Sequence, residues 1–321
     1  MPSPTGLVAP LLVFILASQA LAQELDDIIV GCDAVQCPVV NDEHHCQVGN
    51  DTFLDIGLTR IPDVPDALED FSIVKGVNIS TTKKGDELFT SVYYLGYPQN
   101  VSLDEVHGCA VFFDPPGKTF PENTTGTCSD IIDPECIDGI QEVAASALTY
   151  KYVDGICRDL QRELEDSNIS ACNNYTGTGE GIRRSVFAIS LSNLTNIEGQ
   201  ENATSDCWPI LPKSANLAPL FYSFRSWDGG PFPQSAYDEV HKITPVLTLF
   251  MAKSNSKNVV NKTVGRMSCI QIESTWTPES SVAAPKSLVS MLAIVWALAA
   301  WAVMLMGLKP FFARKATWLA L

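Results

Sequence analysis

Apolar positions along the middle of the chain follow two different periods. The runs 88–95 and 109–113 are short, rich in Val, Tyr and Phe, and read as strands. Four further runs, 186–191, 220–224, 246–251 and 267–272, are short and apolar and are bounded by Asn, Gly, Pro or Ser. Between these groups the spacing becomes helical. Asp133 is an N-cap followed by Pro134 at the first helical position. Ile137, Ile140, Val143, Ala144, Ala147 and Leu148 then share one face. A second helix, from Asp154 to about Glu165, carries Ile156, Leu160 and Leu164 at spacing four, with Tyr150 to Val153 as the joint. Pro62 and Pro65 bar 61–66 from a helix or a central strand. Residues 23–60 read as a turn-rich segment pinned by disulfides rather than by a core, and 115–127 as a Pro/Gly/Thr-rich loop. The pattern predicts an α+β fold: a disulfide-stapled antiparallel β-sheet or sandwich with a helical-pair insert on one side.

The two ends are apolar for other reasons. Residues 7–18 form a short uncharged run before Ala20-Leu21-Ala22, a small-x-small cleavage site, so 1–22 read as a signal peptide and the mature chain begins at Gln23. Residues 288–308 are uninterrupted and uncharged. As a helix at about 1.5 Å per residue they span about 31 Å, against a hydrocarbon core of about 30 Å. Lys309, Arg314 and Lys315 follow and only Lys286 precedes nearby, which places the tail 309–321 in the cytosol. The rival reading is a glycolipid-attachment signal, with small residues near Ser280-Ser281 or Ala283-Ala284. The tail beyond 308 continues through charged residues, which favours the spanning helix. The expected organisation is therefore signal peptide 1–22, glycosylated cysteine-rich domain 23–274, stalk 275–287, membrane helix 288–308 and tail 309–321, at the plasma membrane with the N-terminal domain outside.

Composition sharpens this picture. The 321 residues carry a formal charge of −16, and all 37 acids lie within 23–285, where only 17 basic residues accompany them, giving that segment −20. No basic field attracts phosphates, so a nucleic-acid partner is excluded, and the acidic surface discourages contact with polyanions. The ten cysteines, Cys32, Cys37, Cys46, Cys109, Cys128, Cys136, Cys157, Cys172, Cys207 and Cys269, all fall in the exported part and predict five disulfides. The helix pair constrains them. A continuous helix separates Cys136 from Cys157 by about 31 Å, and a hairpin still leaves roughly 15 Å, against about 5.5 Å for a bridge. An antiparallel pair instead brings Cys136 or Cys128 to Cys172. Nine Asn-x-Ser/Thr sequons, at Asn50, Asn78, Asn100, Asn123, Asn168, Asn174, Asn193, Asn202 and Asn261, predict a heavily glycosylated surface with these asparagines exposed.

Tyr94-Leu95-Gly96-Tyr97-Pro98, Gly108-Cys109-Ala110-Val111-Phe112-Phe113, and Gly126-Thr127-Cys128-Ser129-Asp130 with Cys136 together resemble a recurring pattern in secreted, membrane-anchored cysteine-rich glycoproteins of filamentous fungi. The resemblance covers about residues 30–275. It implies no activity and no site residue.

Nucleophile-elbow, zinc-protease, phosphate-loop and dinucleotide motifs are absent. The four histidines are His44, His45, His107 and His241. Asp42-Glu43-His44-His45-Cys46, with Cys37, is the densest ligand cluster, yet cysteines in an oxidising compartment pair with one another and adjacent histidines on an extended chain point apart. Neither a metal nor a cofactor is expected. A copper-type oxidative enzyme would need His where Gln23 stands. A glycosidase needs two carboxylates about 5–10 Å apart, and the 37 acids select no pair. Trp227-Asp228-Gly229-Gly230 before Tyr237-Asp238-Glu239 offers an aromatic platform near carboxylates, or a Gly-rich turn with one packed Trp. The expected function is a non-catalytic cell-surface ectodomain with a structural, adhesive or sensing role, its partners the membrane and cell-wall carbohydrate or a surface protein. The alternatives are a surface carbohydrate hydrolase using a carboxylate pair and a ligand-binding receptor.

Overall fold

A strand with apolar residues on both faces needs a partner layer on each, and this chain meets that demand by stacking four layers. The computed structural model describes residues 29–273 apart from 41–42, 115–118, 122–123, 125, 150–154, 173, 178–184, 193, 198–206, 228–240, 252–259 and 261. The expected leader, stalk, membrane helix and tail lie outside these residues, and no described helix is long and apolar enough to cross a membrane.

Two short ribbons open the fold, β1 (Val39–Val40) with β2 (Glu43–His44) and β3 (Cys46–Val48) with β4 (Asp51–Phe53). A meander follows, of β5 (Asp55–Arg60), β6 (Ser72–Thr81) and β7 (Glu87–Tyr97), then β8 (Gly108–Phe113). Helices α1 (Pro134–Thr149) and α2 (Ile156–Asp166) lead to β9 (Val186–Ser190), β10 (Asn216–Trp227), β11 (Thr244–Phe250) and β12 (Val264–Ile270). Two antiparallel four-stranded sheets result, in the orders β10-β7-β6-β5 and β12-β11-β8-β9.

Side-chain alternation then assigns the layers. Ile73, Tyr93, Leu95 and Tyr97 of the first sheet pack against Ala110, Phe112, Val246 and Phe250 of the second. Phe71 joins them with its ring edge-on to Phe250, centroids 5.4 Å apart. On the opposite face of the second sheet, Val111, Phe113, Leu247 and Leu249 meet Ile140, Ala144 and Leu148 of α1 and Leu160 and Leu164 of α2. The outer face of the first sheet, with Ile56, Leu58, Val74 and Tyr94, is covered by the N-terminal segment and by Trp208 and Ile210. Asp133 caps α1 as the sequence predicts, its Oδ1 accepting from the Glu135 N–H at 2.9 Å.

Five disulfides bind the layers together. Cys136 pairs with Cys172, their Cα atoms 4.9 Å apart, closing the base of the helix pair as expected, while Cys128 joins Cys269 of β12. Cys109–Cys157 pins α2 to β8, and Cys32–Cys46 with Cys37–Cys207 secure the N-terminal layer.

One expectation needs correction, and one strand has no counterpart in the sequence reading. Among the described residues of 23–60, turns fall at 32–36 and 49–50, while β1 and β2 and, from Cys46, β3 to β5 are strand, and Phe53, Ile56 and Leu58 are fully buried. Gly57 disguises β5, because it stands where β5 approaches the backbone after β12 and a Cβ would overlap the Gln271 carbonyl. Strand β6 goes unpredicted because Lys75 and Gly76 interrupt its alternation. Lys75 nevertheless points between the sheets, 1% exposed, its Nζ donating to the Lys242 carbonyl at 2.7 Å and lying 6.0 Å from the Tyr93 ring centroid. The hydrogen bond and the ring face offset part of the cost of burying its charge.

Burial also sets a pH limit. It pushes the Tyr94 phenol far above its ordinary range, with the Asp51 carboxylate adding to the effect. Burial raises Tyr97, against a lowering hydrogen bond with Asn216, and raises Tyr175. The folded state therefore keeps protons that the unfolded chain loses near about pH 10. The stability they confer is complete below that pH and is lost as pH rises through the folded values. The urea midpoint is expected to hold level to about pH 9.5 and fall above about pH 10, less steeply in Tyr94→Phe. A midpoint unchanged through pH 11 contradicts this.

Candidate functional site

The edge strands β5 and β12 belong to different sheets and meet along one side of the sandwich. The Glu273 N–H donates to the Ile56 carbonyl at 2.9 Å, and the bare Cα of Gly57 admits the Gln271 backbone. Beside this contact lies a cleft of about 290 Å³. Thr59, Arg60, Pro62 and Asp63 form one wall, Arg266 to Cys269 of β12 the other, and Gly126 to Ser129 with Ile137 and Gln141 of α1 close the end.

Each wall is held by its own local chemistry. Alternation turns Thr59 inward with Ile61, and turns Arg266 and Ser268 inward with Ile270, while Met267 and Cys269 face the helices. The Arg266 guanidinium is fixed by two backbone carbonyls, Nε donating to Asp63 at 2.8 Å and Nη1 to Gly265 at 3.0 Å. Asp63 accepts that bond from a left-handed turn, φ 48°, a conformation asparagine and aspartate tolerate better than most residues. Arg60 lies 3.9 Å from Asp70, a loose and partly solvated pair. At the closed end, the Thr127 N–H donates to Asp130 Oδ2 at 2.9 Å and its hydroxyl stands 3.2 Å from the same oxygen, so the turn itself engages that carboxylate. The Cys128–Cys269 bridge ties this turn to β12.

Ser268 is 4% exposed, lines the cleft, and its Oγ has no hydrogen-bond partner among the described residues. That oxygen is itself shut off from solvent, as are the unpaired hydroxyls of Ser72, Thr176 and Thr248 among the described residues, so it is a buried polar atom behind the cleft wall. Thr59, Arg60, Thr127, Ser129, Gln141 and Arg266 line the same cleft, with Asp63 the one acid among the described lining residues; the Thr127 hydroxyl is engaged by Asp130 and Ser129, and alternation turns Arg60 to the opposite face of β5 from Thr59. The described lining is thus polar, with two arginines and one acid.

The residues singled out from sequence lie elsewhere. Cys46 and Cys37 of the histidine cluster are taken by Cys32 and Cys207, and among the described residues no three His, Cys, Asp or Glu side chains gather as metal ligands. His107 Nδ1 is 3.3 Å from the Ser192 hydroxyl, and His241 is buried. Trp227 ends β10 opposite Glu87, while Asp228, Gly229, Gly230, Tyr237, Asp238 and Glu239 lie outside the described residues. Of the sequon asparagines, Asn50, Asn100, Asn168 and Asn174 are exposed and Asn78 is partly so; Asn123, Asn193, Asn202 and Asn261 lie outside the described residues. Arg60 and Arg266 drew no attention in the sequence. The available signal was scarcity: cations on β-strands are conspicuous in a segment with 17 basic residues and 37 acids.

The fold and cleft define a disulfide-stapled, layered α+β domain with a polar cationic cleft at the sandwich edge. No family model, curated protein or solved structure matches the chain.

Proposed function

We propose that this chain is a non-catalytic cell-surface glycoprotein whose external domain binds, without transforming, a small anionic and hydroxyl-rich group such as the carboxylate end of an acidic sugar. The single observation that carries this reading is that two arginines, Arg60 and Arg266, line one cleft with a single acid, Asp63, among its described lining residues. Five disulfides support an extracellular setting, since such bridges persist where thiols are oxidised. The net charge of −20 between residues 23 and 285 opposes polyanions at long range. At physiological salt that repulsion is screened beyond about 8 Å, so a short ligand feels chiefly the guanidinium groups beside it. The carbohydrate-hydrolase alternative requires two carboxylates across a cleft, and this one presents Asp63 alone among its described lining residues.

Binding and hydrolysis assays with uronic-acid-terminated and neutral oligosaccharides test the reading. The acidic sugars are expected to bind and to be recovered intact. Arg60→Ala and Arg266→Ala should each weaken binding at least about tenfold, the size of a lost charge-assisted hydrogen bond. Turnover abolished by a single Asp or Glu substitution overturns the proposal.

A further inference from the structure

Strand β10 is an edge strand, paired along its length with β7 on one side and, among the described residues, bridged on the other at Leu217, to Ile197. Its outer face presents Tyr222 and Phe224, each 66% exposed. They stand two residues apart on one face, about 7 Å along the strand. Phe187, at 43% exposure, is different, since its ring lies 4.8 Å from Phe221. Tyr222 and Phe224 make no ring contact and no side-chain hydrogen bond among the described residues. Two bare aromatic rings on an edge strand invite association with another copy, a hazard that folded proteins cover or blunt.

The sheet register shows what lies beside them. Phe224 is opposite Thr90, and Thr90 is opposite Asn78, so the three side chains form one row across β10, β7 and β6 on the outer face. Tyr222 begins the neighbouring row, opposite Val92 and then Gly76. Asn78-Ile79-Ser80 is a sequon, and Asn78 is partly exposed. The register of β5 with β6 runs only to Val77, so Asn78 stands just past the end of that neighbour. At about 4.8 Å per strand, Asn78 is about 10 Å from Phe224, with only the small Thr90 side chain between them.

We propose that the outer face of β10 is the docking surface for the chain's own N-glycan: the first two N-acetylglucosamine rings carried by Asn78 lie over Thr90 and against the faces of Phe224 and Tyr222. A pyranose ring has an apolar C–H face, and an aromatic ring attracts it by dispersion and by its negative π-surface, while the sugar hydroxyls stay in water. The glycan then shields the two rings and fences the edge of β10 beyond its bridge at Leu217. This inference rests on the glycosylated reading of the sequons and is independent of the cleft.

The test follows release of each glycan by a peptide N-glycosidase from the native full-length protein made in glycosylating cells, with site occupancy read by mass spectrometry. Asn50, in the β3–β4 turn, is the internal control. In the wild type the Asn78 glycan is expected to be released about tenfold more slowly than in the Tyr222→Ser/Phe224→Ser double variant, the size two ring contacts supply, with Asn50 unchanged. Asn78→Gln should raise light scattering of the native protein, and adding Tyr222→Ser/Phe224→Ser should abolish that rise. Equal release rates at an occupied Asn78 overturn the docking alone. An unmodified Asn78 overturns the docking together with the glycosylated reading of that sequon.

Discussion

Replacing Cys128 and Cys269 together by serine is expected to cost about 4 kcal/mol of unfolding free energy and to abolish binding at the cleft. The two residues are 141 positions apart, and a bridge closing a loop of that order restricts the unfolded chain by about 5 kcal/mol in the loop-entropy estimate. The Cys136–Cys172 bridge lies within that loop and shortens it, so the expected figure is smaller. In the native state the same bridge holds the Gly126–Ser129 wall against β12, which is why binding is lost with it. Urea unfolding of the double variant checks the first part and acidic-sugar titration the second. A change below about 1 kcal/mol with binding retained would show that packing alone holds the wall.

Phe250→Ala is expected to be as damaging, at about 4 kcal/mol, without touching the cleft. Phe250 is 1% exposed and packs in the core between the two sheets, with Phe71 edge-on at 5.4 Å and Tyr97 beyond, 6.3 Å from Phe71. Truncation removes buried apolar area and leaves a cavity that two rigid sheets cannot close. Tyr222→Ala on bacterially made, unglycosylated protein is the contrast: its ring is exposed, so the change should stay within about 0.5 kcal/mol. Equal effects at the two positions would place the principal core elsewhere.

Strands buried on both faces were the easiest to read from sequence. Strand β8, Gly-Cys-Ala-Val-Phe-Phe, is apolar throughout because Ala110 and Phe112 enter the sandwich while Val111 and Phe113 meet the helices. The helix pair was equally plain, from the cap at Asp133 and the spacing of Ile140, Ala144 and Leu148. Hydrophobic patterning failed where a tertiary contact licenses an unlikely residue: Gly57 for a backbone approach and Lys75 for a carbonyl across the sandwich. The cleft was hidden for a further reason. Arg60 and Arg266 lie some 200 residues apart, and only the strand order that leaves β5 and β12 at neighbouring edges brings them into one wall pair.

That strand order also governs how the chain is made. Strand β7 is complete at Tyr97, but the partner that will cover its other side, β10, begins only at Asn216. At about 5–20 residues per second of synthesis, β7 waits on the order of 10 s with its backbone hydrogen bonds unclaimed. During that interval the nascent polypeptide depends on chaperones to keep its half-finished sheet from other chains, and truncations ending before residue 216 should aggregate or be degraded rather than accumulate folded.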